Sequence, residues 1–343
     1  MKLRGFLFSL SVLMCLCVSA RVQTLSMCIG DYPTESGWNS LGANNDARLI
    51  KRILPDTKVV ANESATHDRI LSELSLLKTV VNRGDTVIVH FSGHGQQILS
   101  ETSSEEADLV DEALVPYDSA KRKSAAYNGQ AHISDNVFGE YITGLRSTVG
   151  PSGLVIAVID ACHSDSMDKD AESSDDVYRG TDEIFGAETL SPDSIANLRK
   201  QYDTPDESSV FASPELSDVV FISACGTHQR NYEIKVEDTP YGSLTYYFCK
   251  AYETKGIANL NEFLSGLYSE MSADKVMKFY GQFPVIRNTI GWFAPPQSKY
   301  EPTDTQIQVE DDDSRNSYWW FVIGVFAVII IAIILVICRK KKK

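Results

Sequence analysis

The sequence predicts an α/β fold: a mostly parallel sheet flanked by helices. Three observations predict it. Short β-branched apolar runs alternate with stretches of helical periodicity, as βαβ units require. Two of the runs, Thr86 to Phe91 (TVIVHF) and Leu154 to Ile159 (LVIAVI), are nearly continuous apolar tracts, the pattern of strands covered on both faces. Each run ends abruptly in small polar residues, Ser92-Gly93-His94-Gly95 after the first and Asp160-Ala161-Cys162-His163-Ser164 after the second. Ligands and reacting groups of open α/β sheets gather outside the carboxyl ends of such strands. An imidazole and a thiol are therefore predicted at one edge of one sheet.

The elements follow in order. Leu25 to Ile29 reads as a first strand, closed by Gly30-Asp31-Tyr32-Pro33. Leu41 to Leu54 reads as a helix, with Ala43, Ala47, Ile50 and Leu54 at helical spacing. Lys58 to Ala61 is a short strand, and Ala65 to Val81 a second helix with Ile70, Leu74, Leu77 and Val81 on one face. The Thr86 strand follows. Ser134 to Leu145 reads as a helix with Ser134 as its N-cap, ahead of the Leu154 strand. Residues 165–218 are acidic, rich in Ser and Asp and without sustained periodicity, and read as a long, partly disordered loop. Val219 to Ser223 is a strand, Ser243 to Glu253 and Leu260 to Met271 are helices, and Gln282 to Asn288 is a last strand.

Composition bounds the function. The chain has 343 residues, 43% of them hydrophobic, and a formal net charge of -14. Such a balance speaks against nucleic acid, whose phosphates need a basic face.

Both ends carry targeting patterns. Lys2 and Arg4 precede an apolar run from Phe6 to Val18 and the small-residue site Val18-Ser19-Ala20, so residues 1–20 read as a secretory signal peptide. Residues 319–338 are about twenty apolar residues, long enough to span a bilayer, and begin with Trp319 and Trp320. Residues 339–343 form a basic tail, which the positive-inside rule keeps cytosolic. Residues 295–317 are an acidic stalk. The expected protein is single-pass and type I, with its catalytic body, residues 25–294, lumenal or extracellular. The four terminal lysines resemble a dilysine retrieval signal of the endoplasmic reticulum. Cys28, Cys162, Cys225 and Cys249 lie in the body, and with Cys162 reserved for chemistry at most one bridge is expected among the rest. Asn62-Glu63-Ser64 is a glycosylation sequon.

The chemistry centres on Cys162 and His94. A thiolate is the nucleophile of cysteine hydrolases, and a nearby imidazole moves the proton. The backbone N–H groups of Gly95 and Cys162 are suited to hold a developing oxyanion. Taken singly, a cysteine after an apolar strand is more often a small buried hydrophobe, and a histidine in a glycine-rich turn more often structural. The pair at two strand ends favours the catalytic reading.

HFSGHG around His94 and DACHS around Cys162 resemble the two signatures of metacaspases, cysteine peptidases of the caspase/hemoglobinase-fold clan. The resemblance runs from about Leu25 to Ala294. It takes in Asn44-Asn45-Asp46, the segment from Asp111-Glu112 to Asp118, Ile222-Ser223-Ala224-Cys225, and Gly242 to Thr245. It implies a caspase-like fold, His94 as general acid/base, Cys162 as nucleophile, and a pocket of Asp46, Ser92 and Asp160 for Arg or Lys before the cut. Two carboxylates at the mouth of the site would pair with a basic side chain and reject an acidic one. The resemblance also implies calcium on Asp111, Asp135 and one of Asp168 or Asp170, and a monomer that acts on protein or peptide substrates with basic residues. The chain departs from the family at Ser134-Asp135-Asn136, where paired acids are usual, and in its targeting signals. Self-processing in the acidic loop is expected at Lys169, Arg179, Arg199 or Lys200. Two other classes stay open: a non-catalytic, membrane-anchored scaffold, and an acyl transferase similar to legumain or transamidases.

Overall fold

The computed structural model describes residues 20–99, 110–162, 177–195, 198, 213–226 and 229–290. The leader, stalk, membrane span and basic tail lie outside the described residues, apart from the last residue of the leader. So do Asp168, Asp170, Lys169, Arg199 and Lys200. No helix among the described residues is long and apolar enough to cross a membrane.

The apolar runs become strands β1 (Val22–Cys28), β2 (Lys58–Ala61) and β3 (Thr86–Ser92). Three strands then form a small antiparallel sheet of their own: β4 (Gly95–Leu99), β5 (Val110–Leu114) and β6 (Ile133–Ser134). The main sheet resumes with β7 (Leu154–Asp160) and β8 (Asp218–Ser223). A hairpin of β9 (Glu233–Val236) and β10 (Thr239–Gly242) precedes the last strand, β11 (Val285–Asn288). The main sheet has the order β11-β8-β7-β3-β1-β2, parallel except for β11.

Side chains of successive strand residues point to opposite faces, so a sheet covered on both sides builds two cores. Ile88, Ile156, Val158, Val220 and Ile222 pack into one core. Helices α1 (Ala43–Ile53), α4 (Ser243–Lys255) and α5 (Leu260–Ala273) cover it, and the short α6 (Lys275–Phe279) contributes Met277. Val87, Val89, Phe91, Val155, Ala157 and Ile159 pack into the other, under α2 (His67–Val80) and α3 (Asp135–Val149). The expected cap of α3 is present: the Ser134 side chain accepts from the Val137 N–H at 3.3 Å. Such a cap contributes about 1 kcal/mol.

Two expectations are corrected here. On α1 the buried face includes Asp46 with Ala43, Leu49 and Ile50, while Ala47 is only half-buried. A carboxylate on a core face is stable only with partners, and those partners define the site below. Within the expected long loop, Arg179, Ile184, Phe185 and Ala187 are buried. Phe185 bonds through its backbone to Gln97 and Leu99 of β4, at 2.8 and 3.0 Å, which anchors this stretch.

The β9–β10 hairpin and β4 to β6 were not foreseen. The hairpin turn is Glu237-Asp238, both at positive φ (49° and 63°). That geometry usually announces itself as Asn-Gly, so the sequence signal was missing. Asn62 also sits at positive φ, and its side chain accepts from the Gly30 and Asp31 N–H groups and donates to Asn44 at 2.8 Å. No disulfide joins the four body cysteines, and all four are buried.

Candidate active site

Strands β3 and β7 run side by side in register, with Ser92 opposite Asp160. His94 lies two residues beyond one strand end and Cys162 two beyond the other, so the sheet delivers both to one edge. The paired strands also deliver Ser92 and Asp160 as the last polar residues before the chain turns.

Arg179 fills the space beneath them. It is fully buried. One terminal nitrogen donates to Ser92 Oγ at 2.7 Å and lies 3.8 Å from the Asp160 carboxylate. The other donates to Asp46 Oδ2 and Glu233 Oε1, each at 2.8 Å. The carboxylates are themselves held. Asp46 accepts from Ser92 Oγ at 2.8 Å and from the Gly242 N–H. Asp160 accepts from Asn231 at 2.8 Å, and from the Thr245 N–H and hydroxyl at 2.7 and 2.6 Å. Glu233 accepts from the Gly42 N–H at 2.7 Å. Burial works against the guanidinium charge, but Asp160, Asp46 and Glu233 outweigh it and hold Arg179 firmly protonated. Burial pushes Asp46 up to about 7, against the pull of Arg179. Gly242 is required by space: a Cβ there would collide with the Asp160 carboxylate and the Arg179 guanidinium.

The backbone of the same segment is bound as an added strand. Arg179 N–H donates to the Asn231 carbonyl at 2.9 Å, and Glu233 N–H donates to the Val177 carbonyl at 2.9 Å. Tyr178 faces Tyr232 across this antiparallel pair. Main-chain pairing of this kind is how extended peptides are held on an exposed edge. The Arg179 carbonyl oxygen then accepts from two N–H groups, Cys162 at 2.8 Å and Gly95 at 3.2 Å. These are the two donors expected to form an oxyanion hole.

The dyad is not joined. His94 donates through Nε2 to the Asn39 carbonyl at 2.9 Å, since a carbonyl can only accept. That tautomer leaves Nδ1 as a bare acceptor, and Nδ1 has no hydrogen-bond partner although it is buried. Burial pushes His94 down to about 3, partly offset by the Asn39 bond, so the ring is neutral. Trp38 stacks on it with ring centroids 4.6 Å apart. The Cys162 thiol donates to the Gln229 carbonyl at 3.3 Å, and the Cys225 thiol donates to Cys162 Sγ at 3.9 Å. Catalytic hydrogen bonds are often open before the reacting complex forms.

A polar chain supports Asp160 from behind. Thr245 spends its hydroxyl proton on Asp160, so its oxygen accepts from His90 Nε2 at 2.9 Å. His90 Nδ1 then accepts from Ser26 Oγ at 2.8 Å. Burial pushes His90 down to about 4, which keeps this ring neutral as well.

The structure thus brings together His94, Gly95, Cys162, Asp46, Ser92 and Asp160. Asp46 and Asp160 lie at the floor of the pocket, not at its mouth, because both are fully buried. Glu233, Asn231, Trp38 and Asn39 have no signal of their own in the sequence, whereas Gly242 and Thr245 fall within the segment that carries the resemblance. Thr245 opens α4, and the others lie in or beside a hairpin or loop whose position only the fold supplies. Asp111 on β5 and Asp135 at the start of α3 belong to adjoining elements. Among the described residues, however, no three His, Cys, Asp or Glu side chains cluster as a metal site would need. Calcium takes six to eight oxygen ligands, so these two carboxylates alone do not make its cage.

The family described as caspase domain matches residues 24–291. Among curated proteins, metacaspase-5 of Trypanosoma cruzi is 36% identical over 104 residues, which is 30% of this chain and 20% of that protein. Metacaspase-5 of Trypanosoma brucei brucei is 34% identical over 118 residues, 34% of this chain and 21% of that protein. Metacaspase-1A of Neurospora crassa is 31% identical over 102 residues, 30% and 20% of the two chains. The chain spans about a fifth of the length of the curated relatives it matches. Among solved structures, a protein of Geobacter sulfurreducens aligns with a TM-score of 0.49 at 18% identity, over 78% of this chain and 93% of that one. Caspase-1 of Spodoptera frugiperda aligns with a TM-score of 0.48 at 12% identity, over 78% and 88%.

Proposed function

We propose, from the premise that the chain belongs to the caspase-domain family and is metacaspase-like, that it is a cysteine endopeptidase that cuts after Arg or Lys and processes itself. One observation carries the reading. Arg179 has its guanidinium among Asp46, Ser92, Asp160 and Glu233 and its carbonyl oxygen on the Gly95 and Cys162 amides. That is the pose a substrate residue before the cut would take. Of the four basic residues expected as self-processing sites, Arg179 is the one this geometry favours.

The chemistry follows from the atoms present. The Cys162 sulfur turns from Gln229 toward His94, and Nδ1 takes its proton. The thiolate attacks the carbonyl carbon, and the oxyanion sits on the two N–H groups. The C–N bond breaks, the imidazolium returns its proton to the leaving amine, and a thioester remains. Water, deprotonated by His94, then attacks the thioester and releases a carboxylate and the thiol. Three carboxylates in a buried pocket favour a cation and oppose an acidic side chain.

Calcium stimulation belongs to the same proposal, with Asp111 and Asp135 supplying part of the oxygen ligands. A chelator titration tests it. Anchoring in a secretory membrane through residues 319–338, with the catalytic body lumenal, is supported by the apolar run and its basic tail. Protease protection in sealed vesicles tests that. The activity itself is tested with the full chain on peptides bearing Arg, Lys or Asp before the cut, beside Cys162→Ala. Cleavage after Arg and Lys that vanishes in the variant is expected. Cleavage after Asp, or none at all by folded protein, would overturn the reading.

A further inference from the structure

Resting on that reading, the geometry points to two further subsites: one that selects an aromatic residue immediately before the basic residue, and one that requires glycine immediately after the cut. We propose that preferred substrates carry Tyr-Arg-Gly or a close aromatic equivalent across the scissile bond.

The aromatic subsite is built by Arg230 and Tyr232. The guanidinium carbon of Arg230 lies over the Tyr178 ring, 4.8 Å from its centroid. The Tyr232 ring approaches from the other strand with centroids 6.2 Å apart and a tilt of 54°. Both walls are themselves fixed. Arg230 is buried and pairs with Asp182 at 2.6 Å. Tyr232 is buried and stacks on Tyr280 with centroids 3.7 Å apart and planes 16° from parallel. A cation over a ring face and a second ring at its side favour a π system over an aliphatic chain of equal size. Val177, one residue earlier, is 37% exposed, so the position before the aromatic carries little selectivity.

The glycine requirement is steric. A Cβ on Gly180 would lie 2.5 Å from the Cys162 carbonyl oxygen and 3.0 Å from the Cys162 Cβ. The nearer atom is backbone two residues past the end of β7, which cannot swing aside as a flexible side chain would. A larger residue there pushes the scissile bond away from the sulfur.

The test uses quenched peptides, all with Arg before the cut, on the full self-processed chain. Val-Tyr-Arg-Gly should exceed Val-Ala-Arg-Gly by about tenfold in kcat/KM. It should exceed Val-Tyr-Arg-Ala by at least about tenfold. Arg230→Gln should narrow the Tyr-over-Ala ratio, and Gly180→Ala in the full chain should slow the appearance of a new terminus after Arg179. Equal cleavage of the Tyr and Ala peptides overturns the aromatic subsite. Equal cleavage of the Gly and Ala peptides overturns the glycine requirement. Cleavage of no Arg peptide overturns the peptidase reading itself, and the two kinds of failure are thereby distinct.

Discussion

The acidic pocket and the candidate dyad sit a few residues apart on the same two strand ends, yet they are in opposite states. The pocket is nearly complete: both terminal nitrogens of Arg179 are engaged, only its Nε lacks a partner among the described residues, and every carboxylate around them has backbone or side-chain donors. The dyad is open: His94 is turned to Asn39, with Nδ1 bare, and the Cys162 thiol to Gln229. Recognition is preorganised and the chemistry is held back. The difference follows from charge, since all of these groups are buried. Charged groups at zero exposure must be fully paired to be tolerated, whereas a neutral imidazole and a thiol lose little by waiting. On the proposed function, a chain built this way would hold its own loop as a bound substrate while the nucleophile is still protonated.

The comparison is broken most severely by removing the pocket's occupant. Arg179→Ala leaves Asp46, Asp160 and Glu233 buried without a cation, and denaturant unfolding should show a loss of about 3–5 kcal/mol. The same variant should cleave Arg peptides without a lag, because nothing has to leave the pocket first. Retained stability with an unchanged lag would mean that Arg179 is not the plug.

Blocking the pocket is the next largest effect. Gly242→Ala puts a methyl group where Arg179 and Asp160 meet. Its backbone angles, φ -64° and ψ 132°, suit alanine, so the effect is one of space. Cleavage of Arg peptides should fall by about a hundredfold with the melting transition still cooperative. Wild-type rates in this variant would remove the pocket from the account.

Acid probes the neutral side. His94 and His90 are held at about 3 and about 4 by burial, below the ordinary 6.5. The unfolded chain therefore binds protons between pH 6.5 and those values while the folded chain does not. His132 is held at about 4 by burial too, while burial holds Asp46 up at about 7, so as pH drops below 6.5 each of the three rings costs about 1.4 kcal/mol per pH unit down to its folded value and Asp46 offsets one ring's share, a net loss. A urea series should show that slope, and His90→Gln should reduce it. A flat profile between pH 6.5 and 4 contradicts the buried neutral assignment.

The smallest effect concerns Arg against Lys. Arg179 uses two nitrogens, one toward Ser92 and one toward Asp46 and Glu233. A lysine has one nitrogen and cannot fork. Arg peptides should be cut about tenfold faster than matched Lys peptides. Equal rates would show that charge alone is read.

Much of this was legible from sequence. The two central strands, their terminal His94 and Cys162, and the oxyanion donors Gly95 and Cys162 followed from apolar runs that stop at polar residues. Asp46, Ser92 and Asp160 followed from the resemblance. What escaped notice had a common cause. Glu233 and Asn231 reach the pocket on or beside a hairpin whose Glu237-Asp238 turn lacks the usual glycine signal. That Asp46 lies at the floor of the pocket and not at its mouth has no local signal, because its partners, Arg179 and Gly242, are 133 and 196 residues away in sequence. Arg179 itself sat in a stretch whose composition reads as loop. Its burial is decided by three distant carboxylates rather than by any local pattern.

The most direct measurement is the identity of the chain termini formed when the purified full-length protein is incubated under assay conditions, with Cys162→Ala in parallel. The account predicts a new amino terminus at Gly180, reading Gly-Thr-Asp, in the wild type and none in the variant. Termini only at other basic residues, or a Gly180 terminus that persists in Cys162→Ala, would contradict the claim that Arg179 lies on its own nucleophile as a substrate.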